Sequence, residues 1–160
     1  MKNSKEEMKN SKYTTFFLML AASFVAMYIT MYLNTYSIDH VYFSFTRFYM
    51  TCLGISTMAV IMWFFMRNMY QNKSKNIAII LGSVLLFCGS LFLVRAQKPI
   101  IGDLLWLKAM IPHHSIAILT SERADIIDPE VKKLAEGIIE AQRKEIGEMK
   151  TMIKRLENEK

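Results

Sequence analysis

Three long uncharged stretches dominate the first two-thirds of the chain. Tyr13 to Ile38 carries no charged side chain, Phe48–Met66 is a second uncharged run, and Ile77–Val94 is a third. A helix rising about 1.5 Å per residue needs roughly 20 residues to cross a ~30 Å hydrocarbon core. The pattern predicts three membrane spans, near 13–33, 48–66 and 77–94, within a membrane domain covering 1–98. Charges confined to the flanks of all three runs argue against helices buried in a soluble protein. A basic leader (Lys2, Lys5, Lys9, Lys12) precedes the first run. That run is too long for a signal-peptide core, and Leu33-Asn34-Thr35-Tyr36 offers no small-x-small cleavage site, so it is expected to stay as an anchor.

Beyond residue 98 the period changes. Lys98-Pro99 and Gly102 interrupt the third run, Asp103 reads as an N-cap, and a helix is expected from Leu104 to Arg123. Asp128-Pro129-Glu130 reads as N-cap, N1 and N2 of another helix, reaching to about Leu156. The turn between them, near Asp125–Asp128, is short enough to force an antiparallel hairpin over 99–160. Steps of three and four mark an inner stripe of Val131, Leu134, Ile138, Gln142, Glu145, Met149, Met152 and Leu156 on its second helix. The matching stripe on the first is Leu107, Met110, His113, His114, Ala117 and Ala124. The expected fold is all-α: three transmembrane helices, then a helical hairpin.

Charge gives this arrangement a direction. Residues 1–98 hold ten basic and three acidic side chains, and residues 99–160 hold ten and eleven, so the net charge of +6 belongs to the membrane part. The leader carries four basic residues and the second loop three (Arg67, Lys73, Lys75), whereas the first loop carries only Arg47. Positive-inside counting puts the N-terminus in the cytoplasm and the hairpin outside. Basic residues that bracket apolar runs, rather than line a groove, exclude a nucleic-acid partner and make the lipid bilayer the expected one. Two cysteines without a CxxC exclude a disulfide framework. Within the spans, Met27/Met31 and Met58/Met62/Met66 recur at i, i+4, and packing is a commoner use of such stripes than passing soft ions along. Cys52 and Cys88 read as small apolar residues sooner than as a thiol pair, and Gly82, Ser83, Gly89 and Ser90 suit close helix approach.

Two polar interruptions mark the otherwise apolar seams of the hairpin. With the turn centred near Ile127–Asp128, His113 faces Gln142 and Met110 faces Glu145, with Met149 one turn beyond. A thioether and two imidazoles then share one turn of the first helix, opposite a carboxamide, a carboxylate and a second thioether. Imidazole suits copper, zinc, iron and nickel; thioether selects soft ions such as Cu(I), and Ag(I) by the same softness. Pro112 deprives the Lys108 carbonyl of its helical donor, and a kink there would help Met110 and His113 converge. The other reading is a buried hydrogen-bond cluster in which Gln142 and Glu145 hold the histidines and fix helix register. Spacing alone leaves the two readings even. Neither HExxH nor a Gly-rich phosphate loop occurs, and no nucleophile aligns with the histidines, so no enzyme is expected. Asp39-His40 in the first loop, flanked by Tyr36 and Tyr42, is a weaker candidate for metal capture.

Met110-Ile111-Pro112-His113-His114-Ser115-Ile116-Ala117, followed by Gln142-Arg143-Lys144-Glu145-Ile146-Gly147-Glu148-Met149, resembles the family called domain of unknown function 305. Its members share M-x-x-H-H-x-x-A and Q-x-x-E-I-x-x-M motifs, and the likeness covers Asp103–Leu156. The whole chain looks like a membrane-anchored bacterial subgroup of that family. The resemblance implies a ferritin-like helical bundle and, from members linked to heavy-metal tolerance, binding of copper as Cu(I) or Cu(II), or of silver. By position it implies Met110, His113, His114 and Met149 as ligands, with Gln142 and Glu145 beside them. Many members carry a further Met where this chain has Thr120. Two helices make a thin core, so a homo-oligomer that completes the bundle is expected. The role expected is sequestration in a bacterial inner membrane or hand-off to a metal exporter. Its rival is a membrane-anchored interaction module that binds no metal.

Overall fold

The computed structural model describes residues 2–98 and 100–159, with the side chains of 2–10 excepted. Among the described residues the chain is all-helical: α1 (Lys2–Thr30), α2 (Phe45–Met66), α3 (Lys73–Ala96), α4 (Asp103–Arg123) and α5 (Pro129–Asn158). Single 3-10 turns at Ile38–His40 and Arg67–Met69 join the first three. Two compact units result. One comprises residues up to 29 and 47–96; the other combines 30–46 with 97–160.

In the first unit three helices, Ser11–Thr30, Phe45–Met69 and Lys73–Ala96, are long and apolar enough to cross a membrane. Only 17%, 33% and 17% of their apolar windows are buried within the protein. Phe17, Leu85 and Phe92 are among the large side chains left on the outside, an apolar surface that lipid would cover. The first helix ends at Thr30 rather than Leu33, because Met31–Asn34 turn away, and Met31 therefore leaves the Met27 stripe. Phe16, Leu20, Ile55, Ala59 and Ile79 form the core, against which Met27, Met58, Met62 and Met66 pack. The thioethers are used as filling. Close approach occurs at Gly54, where an added Cβ would lie 2.8 Å from Met27 Sδ. Ser83 and Ser90 are buried, while Gly82 and Gly89 face open space. Both cysteines are free, Cys52 buried and Cys88 exposed, so they do not form a pair.

One end of this unit is closed by a polar and aromatic lock. Tyr13 Oη donates to Asn76 Oδ1 at 2.8 Å and accepts from the Asn72 N–H at 3.1 Å. Asn76 Nδ2 donates to the Tyr70 carbonyl at 2.7 Å, and the rings of Tyr13 and Tyr70 lie 5.1 Å apart. The α2–α3 turn is thereby tied to α1.

The second unit is built on the α4–α5 hairpin. Helix α3 stops at Ala96, with Gln97 at a positive φ of 52°; the Pro99 expected to break it lies outside the described residues. Gly102, not Asp103, is the N-cap of α4, and Asp103 supplies negative charge to its first turn. The α5 start is as expected. Asp128 accepts from the Glu130 and Val131 N–H groups at 2.9 and 3.0 Å, with Pro129 following. Pro112 sits buried inside α4, which stays helical through it.

Both helices are rotated about one residue from the expected stripes. Leu107, Ile111, Ser115 and Ile118 are buried on α4, and Ala135, Ile146, Met149 and Ile153 on α5. Val131, Leu134 and Met152, assigned to the seam by periodicity, are exposed. The reason is that α5 carries apolar residues over more than one face. The loop 30–46, packed with the hairpin through Tyr42, selects which of them is covered. Asp128→Ala removes two bonds to otherwise orphaned donors and is expected to destabilise the hairpin by ~1 kcal/mol, read as a lower thermal midpoint by circular dichroism.

Candidate metal centre

Helix rotation separates the six candidate residues. His113 is exposed, His114 is largely covered, and Met110 packs at the edge of the Leu107–Ile111–Ile153 cluster. Met149 is inside that cluster. The His114 Nδ1 lies 2.9 Å from Glu145 Oε2. Glu145 is the partner this buried nitrogen has in the structure, and no other hydrogen-bond partner reaches it. Gln142 Nε2 reaches the same Glu145 oxygen at 3.4 Å, a long contact. The meeting of polar interruptions expected across the hairpin therefore occurs, but His114 rather than Met110 stands opposite Glu145. The turn and the rotation of both helices shift the register from the one that spacing predicts.

The surroundings of His114 favour its neutral form. Burial pushes its pKa down, Glu145 pulls it back up, and His113 opposes Glu145. The two imidazole centroids are 6.0 Å apart at 60°, a separation two rings can have when they share one ion through bonds of ~2 Å. Neutral imidazole beside a carboxylate and thioether is a donor set that a borderline or soft cation accepts. The His114–Glu145 contact is the place in this chain whose donors would fit such an ion. Among the described residues, no three His, Cys, Asp or Glu side chains converge on one point.

The opposite face of α4 holds a second polar cluster, whose role was not legible in the sequence. Ser115 Oγ, fully buried, accepts the Tyr36 N–H at 2.7 Å and lies 3.0 Å from His40 Nδ1. Asp39 pairs with Lys150, and Arg143 places its guanidinium 5.7 Å from the Tyr36 ring centroid. Asp39 and His40, the candidate capture pair, are thereby engaged in docking the loop. Ser115 points away from the histidines, and that direction brings it to the loop.

These features belong with a recognisable sequence. Residues 97–160 match the family model described as Domain of unknown function (DUF305). Uncharacterized protein L153 of Acanthamoeba polyphaga mimivirus is 35% identical over 139 residues, covering 85% of this chain and 89% of that protein. The chain belongs to the DUF305 family. The alignment with the viral protein is longer than the DUF305 segment, so the likeness extends into the apolar helices. No solved structure matches the chain. The family assignment covers α4 and α5, with both histidines and Glu145, and it assigns them no chemistry.

Acid should loosen the loop through His40. Burial and then Lys150 lower its pKa, with Asp39 opposing. The unfolded chain consequently takes up the proton first, and the stabilisation present above the ordinary value of ~6.5 is lost as pH falls through the lowered one. Asp39, held down to about 2 chiefly by Lys150, keeps its charge throughout that window. The protection factor of the Tyr36 amide, its exchange rate taken relative to the intrinsic rate at each pH, is expected to fall between pH 7 and 5, and His40→Gln should flatten that dependence.

Proposed function

We propose that this DUF305 protein is a membrane-anchored binder of a soft metal ion, copper foremost and silver by the same chemistry, serving sequestration or metal tolerance. The observation that carries the reading is the buried Nδ1 of His114 held against the Glu145 carboxylate, with His113 and Met110 on the same helical turn. His114 and His113 would supply nitrogen and Met110 a thioether. Glu145 and Gln142 would orient the imidazoles, as carboxylates do beside metal-bound histidine. Met149 would contribute only if it left the core it now fills. The charge bias of the loops supports anchoring by three spans with the hairpin on the non-cytoplasmic side. There, captured ions could be stored or passed to an exporter.

A homo-oligomer completes the site in this reading. The exposed Val131, Leu134 and Met152 give α5 a second apolar stripe. Two hairpins joined through it would make a four-helix bundle, and the second copy would supply the missing ligands. Ile138→Glu in this stripe is expected to shift dimer to monomer in size-exclusion light scattering, with helicity retained.

Titration of the purified full chain with Cu(I) and Ag(I) tests the metal assignment. Stoichiometric binding is expected in the wild type, a loss of ~10–100-fold in affinity for Glu145→Gln, and no stoichiometric binding for His113→Ala/His114→Ala. Equally weak binding by all three would leave the rival reading, a register-fixing module, which the Gln142–Glu145–His114 contacts favour. Folded, oligomeric histidine variants that lose the ion would dispose of that rival.

A further inference from the structure

We infer that the membrane unit holds one anionic phospholipid, its acyl chain lying in a groove between α1, α2 and α3 and its phosphate against Lys75. The groove has a volume of about 730 Å³ and runs on α3 from Lys75 to Leu86, with Tyr13 and Leu20 on one wall and Ala59 on another. Eleven helical steps at 1.5 Å make roughly 16 Å, the depth of one leaflet of a ~30 Å core. The volume lies within the ~300–1,000 Å³ typical of small-molecule sites. Almost all of its lining is apolar, and an added Cβ at Gly82 would meet nothing within 4 Å. An apolar groove one leaflet deep and open to its side is therefore present on this unit.

Charge at the mouth selects the occupant. Lys75 Nζ sits 5.0 Å from the centroid of the Tyr13 ring, and Tyr13 is itself fixed by Asn72 and Asn76. The ammonium is thus placed at the groove's polar end by the same lock that ties the α2–α3 turn to α1. Lys12 directly precedes Tyr13 and Lys73 lies two residues before Lys75, which adds positive charge at this end. A cation held between spans at headgroup level, above an apolar slot one leaflet deep, fits a lipid phosphate with its chain attached. A second copy of the protein, itself basic at this end, would be repelled there.

The full chain in vesicles of equal parts phosphatidylglycerol and phosphatidylcholine, released for native mass spectrometry, provides the test. One retained phosphatidylglycerol is expected, preferred about five-fold over phosphatidylcholine, as ~1 kcal/mol from one lysine implies. Lys75→Gln should abolish the preference. Gly82→Phe should eject both lipids, whereas Gly82→Ala, adding one methyl to open space, should retain phosphatidylglycerol. Unchanged circular dichroism in each variant confirms the fold, and Gly82→Leu replaces Gly82→Phe if the latter unfolds. Excess inorganic phosphate should leave retention unaltered. Equal retention of the two lipids by wild type, insensitivity to both substitutions, or displacement by phosphate would overturn the inference. So would a Gly82→Phe variant that changes oligomeric state while retaining lipid.

Discussion

The rotation of α4 about its own axis decides what this protein can present to a ligand, and Ser115 sets that rotation. Its hydroxyl oxygen is buried and takes the Tyr36 N–H from the docked loop, with His40 alongside. Turning α4 by one residue would strand that amide and imidazole without partners, a penalty of about 1–3 kcal/mol for each buried group. With Ser115 directed at the loop, His113 is sent to solvent and His114 to the edge of the seam opposite Glu145. Adjacent histidines therefore occupy unlike environments, one wet and one half-dry.

The hairpin consequently has two faces with different uses. The loop closes one with aromatic contacts and the Asp39–Lys150 ion pair. The other keeps the His114–Glu145 pair beside apolar residues still exposed on α5. Polar groups half-removed from water are costly unless something completes their bonding. In the proposed metal-bridged dimer the second copy would cover the apolar stripe and the ion would join the His114–Glu145 pair.

The membrane unit shows the same logic with the solvents exchanged. Its spans keep most of their apolar surface outward and reserve their strongest polar contacts for one end, where Tyr13, Tyr70, Asn72 and Asn76 interlock. Within the spans, buried hydroxyls such as Thr51 and Ser56 turn back onto the carbonyls of their own helix. The methionines of α1 and α2 fill the gaps that remain.

Three apolar runs, the Asp128-Pro129 cap and the short turn determine helices and hairpin by themselves, since each is a local matter of hydropathy or backbone bonding. The motif residues also specify the family without reference to shape. Helix rotation was beyond local reading, because α5 offers apolar residues on two faces and periodicity ranks them equally. Tertiary contact broke that tie: the loop at 30–46 covers Ile118 and Ile146 rather than the Leu134 stripe. The same contact moved Glu145 from Met110 to His114 and drew Asp39 and His40 into the fold. A lone serine between two motifs gives no advance sign of such a role, for its importance lies in a partner nearly eighty residues away in the chain.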